Sequence, residues 1–425
     1  MSDLKTLLQN GRHITKINGS TYDITDFIAI HPGGDIIKGI SNGNDGTAMF
    51  YSSHFNLPDI DNIPSIRKIE NVDDIITPKL DFDYNKDSFY YTLKSDIHNY
   101  FKTNNIDYRL PTNFATFCLI LNMCMFTILY YMSYVRGYTL CSILMGILSW
   151  NFAGTLAHDH GAHRTVCGKR DILSNICLSF FNSLTFPGAF ETHFIHGHYS
   201  HHTMVHDVEL DSDENLLYPL VRLHRGHKRL WFHKYQFLYW PLAFSVYLIS
   251  YISQTFRSKK NNWWRRHNHL YRPTVSFKFK LLVLSFIIFH VIVPIYYNGI
   301  VRGTLSYLLF LFTYSTGGLF FALINHYIGH NTVVDHLDKN KWCFNTVHRS
   351  GDYLVDSKCI HYISGGFNVH GLHHLFPTIH PSHLPGIYHL YENRCIEFEY
   401  PYINIKSFSY AFIQFIYNLY ILGNK

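Results

Sequence analysis

The pattern H-x-x-H-H occurs twice in this chain, as His198, His201 and His202 and again as His370, His373 and His374; a third cluster, HDHGAH, holds His158, Asp159, His160 and His163. Long apolar runs separate the clusters, so a fold that gathers them must return each one to the same side of whatever those runs cross. Thirty of 425 residues are histidine. At that frequency a fixed three-histidine pattern is expected roughly 0.15 times in such a chain, so two occurrences point to selection for chemistry. Neutral imidazole suits iron, copper, nickel and zinc. Residues three and four apart share a helix face, so each triplet is expected to aim its imidazoles in one direction.

Charge-free runs occupy Pro111–Val135, Gly137–Ala157, Ile172–Phe190, Tyr235–Phe256, Leu281–Val301 and Gly303–Asn325. Each approaches or exceeds the roughly 18 to 20 residues that a spanning helix needs. Charged residues make up only 16% of the chain, against about 25% in soluble domains. The first two runs are expected to form a hairpin that returns just before His158. Three runs separate His202 from His370, and parity forbids all three to cross. Arg257–Lys280 carries eight Lys/Arg, an excess typical of a cytosolic face, so Tyr235–Phe256 is expected to lie along the surface. The last two runs then make a second hairpin with its turn near Arg302, and Ile172–Phe190, broken by Pro187, is expected to be interfacial. Four spanning helices under a cytosolic histidine cap satisfy these conditions.

Residues 1–75 hold six Lys/Arg and ten Asp/Glu, which leaves a net +10 on the remainder of a chain whose total is +6. An acidic head on a basic body argues for docking between them, or of a basic partner on the head, rather than for nucleic-acid binding. The eight cysteines include no C-x-x-C pair and read as buried thiols in a reducing compartment. MSDLKTLLQN has no apolar core of signal-peptide length, so the head is expected to stay in the cytosol.

In the head, Asn18-Gly19 between two β-favouring stretches is a hairpin signal. Thr25 is a candidate helix cap. Pro32-Gly33-Gly34 bends the backbone just after His31, and DGTAMFYSSH places His54 after a short helical run, so two histidines on facing elements could clamp a haem iron. INGSTYDITDFIAIHPGGD followed by D-x-T-x-x-F and His54 resembles a cytochrome b5 domain over nearly the whole head. The resemblance implies a small α+β domain binding haem b, with His31 and His54 as axial ligands and Phe27, Ile30, Ile40 and Phe50 around the haem. The Phe50–His54 interval is one residue shorter than in the free microsomal protein. Residues 76–110 read as a linker, with a short helix around Phe89–Phe101.

From about Leu156 to Leu384 the body resembles the membrane fatty acid desaturases. His158 and His163 match their first histidine box, His198, His201 and His202 the second, and His370, His373 and His374 the third, with GG-F-N before it and LFP after it. That resemblance implies an all-α multi-pass desaturase domain over 111–400, followed by an amphipathic tail at 401–425. It also implies two non-haem iron ions held by the eight box histidines and a ninth imidazole. HYIGHN supplies His330 for that place, with His326 on the same helical face as a further candidate. Asp159 is expected to orient an imidazole. One departure is His370, where front-end members of the cytochrome b5-fused branch usually carry Gln.

The two resemblances together imply an endoplasmic reticulum enzyme with its site in the cytosol. A cytochrome b5 reductase or similar NAD(P)H-dependent donor would reduce the haem, the haem the di-iron centre, and O2 would be consumed as a double bond enters a lipid acyl chain. Hydroxylation by the same site is the alternative within this chemistry. A membrane-bound cytochrome b5-type electron carrier with a zinc-filled or inactive histidine domain is the alternative outside it.

Overall fold

The computed structural model describes residues 4–32, 37, 42–70, 82–83, 85–152, 158–159, 163, 180, 184–185, 187, 198–207, 211, 213–215, 217–257, 277–329 and 341–425. The head is a small α+β unit. Strands β1 (Ile14–Ile17), β2 (Ser20–Asp23), β3 (Asn42–Asp45) and β4 (Arg67–Ile69) form one sheet in the order β3-β1-β2-β4. Asn18 and Gly19, at φ 54° and 76°, close the β1–β2 hairpin, as an Asn-Gly pair does when both central residues need positive φ. Thr25 caps no α-helix. Its hydroxyl accepts from the backbone N–H of His13 and donates to Asp23, and the DFIAI stretch makes a 3-10 turn, Ile28–Ile30, that delivers His31. Helix Thr47–Ser53 delivers His54.

The expected linker is a packed joint. Helix Phe89–Thr103 buries Tyr90, Leu93, Ile97 and Phe101, spaced on one helical face. On the head side the Tyr90 hydroxyl donates to the Tyr51 carbonyl at 2.7 Å and the Lys94 ammonium to the His54 carbonyl at 3.2 Å. On the body side Asp96 pairs with Arg394 at 2.7 Å. The apolar core runs through: Phe55 meets Phe376 with ring centroids 5.9 Å apart, and Phe82 stacks on Trp342 at 5.6 Å.

Among the described residues, two stretches of the body are long and apolar enough to cross a membrane, Asn113–Val135 and Phe279–Ile324. The second, 46 residues, is a hairpin. The His290 ring stacks on Phe310 at 4.3 Å, whereas a straight helix would hold residues twenty apart at about 30 Å. The turn lies at Gly299 (φ 75°, ψ 167°), three residues before the expected Arg302, and a Cβ at Gly303 would stand 2.6 Å from the Ile295 backbone. Each arm is about 20 residues or more, enough to span. Helix Cys141–Phe152, in the second expected span, has 12 residues, and residues 153–157 of that span lie outside the described ones. Tyr235–Phe256 is two helices, Gln236–Ser245 and Tyr247–Arg257, with a break at Val246. Most of Ile172–Phe190 and of the basic run that follows Arg257 lies outside the described residues.

Among the described residues the body departs from all-α where Asp352–Tyr353 pairs in parallel with Asn404–Ile405. The expected tail is a core element. Helix Phe408–Asn424 buries Phe415, Leu419 and Leu422, and its polar stripe is buried too, with the Asn418 amide donating to the Tyr327 carbonyl.

Candidate metal centre

Two buried groups of imidazoles lie where the three clusters converge. His158, His163, His198, His202 and His373 form one; His201, His326, His370 and His374 form the other; within each, the ligand atoms lie within 4.8 Å of one another. Each triplet is therefore split, against the expectation of a single direction. On a helix, i and i+4 are about 40° apart and i+3 and i+4 about 100° apart. His198 and His202 thus serve the first group while His201 turns to the second, and His370 and His374 serve the second while His373 turns to the first. The first box adds two imidazoles to the first group.

Among the described residues, His326, just after the hairpin's second arm, joins the box histidines of the second group. Its Nδ1–H donates to the Arg349 carbonyl at 3.3 Å, leaving Nε2 3.0 Å from Nε2 of His370. His330 lies outside the described residues, as do His160 and Ile40.

The donor set fits metal ions. Nε2 pairs stand at 2.9–3.0 Å for His163–His198, His202–His198 and His374–His370. Donors at right angles on a metal, with bonds of about 2.1 Å, would stand about 3 Å apart. His373, 4% exposed, has no hydrogen-bond partner on either ring nitrogen. Burial drives His163, His198, His202, His326, His370, His373 and His374 well below the ordinary imidazole pKa, helped by neighbouring imidazoles. Neutral rings of this kind are the form a metal takes.

Carboxylates hold several rings from behind. His158 Nδ1 meets Asp159 at 2.7 Å. His201 Nδ1 meets both oxygens of Asp211 at 3.0 Å, which leaves Nε2 for the group. Burial alone would depress His201, but Asp211 and Asp213 outweigh it and raise its pKa to about 9. Asp211 also accepts the backbone N–H of His206 and of Asp213, both at 2.9 Å. Glu214 pairs with His206 and accepts the Tyr327 hydroxyl at 3.2 Å. Sequence reasoning overlooked Asp352, whose Oδ1 takes the N–H groups of His370 and Gly371 at 2.5 and 2.9 Å and so anchors the start of the third-box helix. Burial pushes its carboxyl up to about 7, and those bonds and the Tyr388 hydroxyl oppose it.

In the head, the His31 and His54 rings are 6.2 Å apart. A metal between two imidazoles, bonded at about 2 Å to each, would set the centroids roughly 6 Å apart. His54 donates from Nδ1 to the Phe50 carbonyl at 2.8 Å, so its Nε2 carries the lone pair. The Phe50 and Phe27 rings flank the two histidines at 4.8 and 5.5 Å. Ile28 is buried in the core, and Ile30 is 64% exposed because the tight 3-10 turn directs it outward.

Residues 136–406 match the model of the fatty acid desaturase family. The chain is 28% identical to acyl-lipid (8-3)-desaturase B of Dictyostelium discoideum, covering 96% of this chain and 90% of the relative. It is 25% identical to the probable Delta(5) fatty acid desaturase C of the same organism, over 98% and 93% of the two chains. It is 26% identical to the acyl-lipid (8-3)-desaturase of Mortierella alpina, over 96% and 93%.

Proposed function

The chain belongs to the fatty acid desaturase family, and from that premise we propose that it inserts a double bond near the carboxyl end of an acyl chain carried by a membrane lipid. The carrying observation is the pair of buried imidazole groups. It is an oxidoreductase of the membrane. The position of the double bond and the lipid-bound form of the substrate follow the names of its relatives, Delta(5) and acyl-lipid (8-3)-desaturases. His370 stands within the second imidazole group, so its departure from Gln touches metal binding as well as any positional role.

In this reading His158, His163, His198, His202 and His373 hold one iron and His201, His326, His370 and His374 the other; His330 is a further candidate. Iron with dioxygen supplies the oxidising power to break two C–H bonds. Two electrons from the substrate and two from a donor reduce O2 to two waters. The chain's own work is to bury the site from bulk water, to fix the rings through Asp159 and Asp211, and to admit an acyl chain from the bilayer. His31 and His54 hold haem b in a cytochrome b5-like head, residues 1–75. The head is supplied by a cytochrome b5 reductase or similar NAD(P)H-dependent donor and is seated on the 111–400 body. Four crossings, two from each hairpin, with the site on the cytosolic face of the endoplasmic reticulum complete the picture.

The test is expression of the full chain, or its His373→Ala variant, in a host lacking polyunsaturated lipids and fed several acyl precursors. An unsaturated product made only by the intact chain, with three irons per chain including the haem, is expected. A hydroxylated product would replace desaturation with hydroxylation, and haem absorbance with one iron and no product would replace it with electron carriage. His31→Ala should abolish the haem spectrum and leave the other two irons.

A further inference from the structure

The GG-F-N stretch before the third box is a tight turn. Gly365 and Gly366 have φ of 66° and 88°, and a Cβ at Gly366 would stand 2.7 Å from the Pro381 Cβ. Asn368 closes the turn. Its carboxamide oxygen accepts from His361 Nδ1 at 2.8 Å, its Nδ2 donates to the Leu354 carbonyl at 3.2 Å, and its backbone N–H reaches the Ser364 hydroxyl at 3.3 Å. The side chains at the two ends of the turn are thereby fixed.

At one end, Tyr362 lines a cavity of about 580 Å³ whose other walls include Phe114, Cys118 and Leu119 of the first span, with Asn151 and Asp159. Phe114 is 60% exposed on the same span, so the cavity adjoins the apolar flank of the protein. Tyr362 is braced from within the membrane helices. Its hydroxyl donates to Asn122 Oδ1 at 2.5 Å, the Asn122 amide donates to Asn151 at 2.6 Å, and the Asn151 amide donates to the Tyr362 carbonyl. At the other end, the half-buried Phe367 ring lies 5.0 Å from His158 and 5.4 Å from His370, one histidine from each imidazole group. Trp150 backs it at 5.6 Å. Asp159, in the cavity wall, holds His158.

A saturated chain offers no polar handle, so only the shape of the wall decides which carbons lie against the metals. Resting on the desaturase reading above, we infer that the Tyr362–Phe367 turn is the specificity element of this enzyme. Tyr362 fixes the path of the acyl chain out of the cavity, and Phe367 fixes the methylene pair presented to the two imidazole groups.

The experiment compares the intact chain with Phe367→Ala, Phe367→Leu and Tyr362→Phe in the same lipid-fed host, scoring positional isomers alongside iron per chain. Phe367→Ala is expected to relax discrimination between neighbouring methylene pairs by at least about tenfold, Phe367→Leu by less, with iron unchanged. An unchanged isomer ratio in an iron-replete Phe367→Ala chain overturns the inference, and if that variant loses iron, an unchanged ratio in Phe367→Leu does so instead. A second arm needs no turnover. Phosphatidylcholine bearing a photoactivatable diazirine on its acyl chain, in nanodiscs, is expected to label Tyr362 and Phe367, and Cys118→Trp, which fills the cavity, should abolish that labelling. Labelling elsewhere overturns the inference, while labelling here by a chain that makes no olefin counts against the reaction and for the turn.

Discussion

The two imidazole groups are built by the same device and finished differently. The second and third boxes sit on short helices, and each sends an i, i+4 pair to one group and its i+3 histidine to the other, in reciprocal fashion. That part of the cage is close to symmetric, three imidazoles to each group. The rest is not. The first group is completed by two histidines of the first box, the second by one histidine outside every box. The carboxylates follow the same division, with Asp159 behind His158 on one side and Asp211, Asp213 and Glu214 gathered around His201 and His206 on the other. Repeated motif supplies the frame, and residues outside it make the two imidazole groups inequivalent.

The largest effect expected from breaking this comparison comes from two neighbouring residues. Under the proposed di-iron assignment, His201→Ala and His202→Ala should each abolish product, yet each should deplete a different iron. Mössbauer spectra of the two variants should lose different components, and loss of the same component from both would end the split assignment. Next comes His326→Ala, which should remove about one iron per chain from the second group while His330→Ala retains both; the reverse result would return the ninth place to His330. Below these stand the supporting carboxylates. Asp211→Asn should weaken iron binding by about 10- to 100-fold, with Asp159→Asn at the lower end of that range. Asp211 restrains a ring and two backbone N–H groups, and iron retention against a chelator series measures the difference. The smallest change is expected for Glu214→Gln, which keeps the shape and loses the charge behind His206. Iron loss within a few-fold of the parent in the same chelator series is the outcome that leaves Asp211 as the principal support.

Much of this was legible from residue spacing. The boxes, the Asn18-Gly19 hairpin, the paired histidines of the head and the return of the chain at a second hairpin all follow from local pattern. The split of each triplet follows from the same helical period that was taken to unite it; what was missing was a second acceptor for the odd residue. His326 and His330 are four apart, so spacing could not rank them; the Arg349 carbonyl orients His326, and His330 lies outside the described residues. The joint at Phe89–Thr103 was hidden because its buried aromatic face is interleaved with lysines and aspartate. The expected amphipathic tail forms helix Phe408–Asn424, whose Gln414 and Asn418 amides lie buried, Asn418 against a main-chain carbonyl.

The joint sets where this protein could be cut or grafted. A head severed near residue 75 would take Tyr51 from Tyr90 and Phe55 from Phe101 and Phe376, so the head is no detachable cassette. A chimera that exchanged only residues 1–75 would bring a foreign surface to Phe376 and to helix Phe89–Thr103. The transplantable unit is the head together with helix Phe89–Thr103 and the aromatic seat around Trp342 and Phe376 that receives it, pieces from opposite ends of the chain that can be inherited only as a matched set.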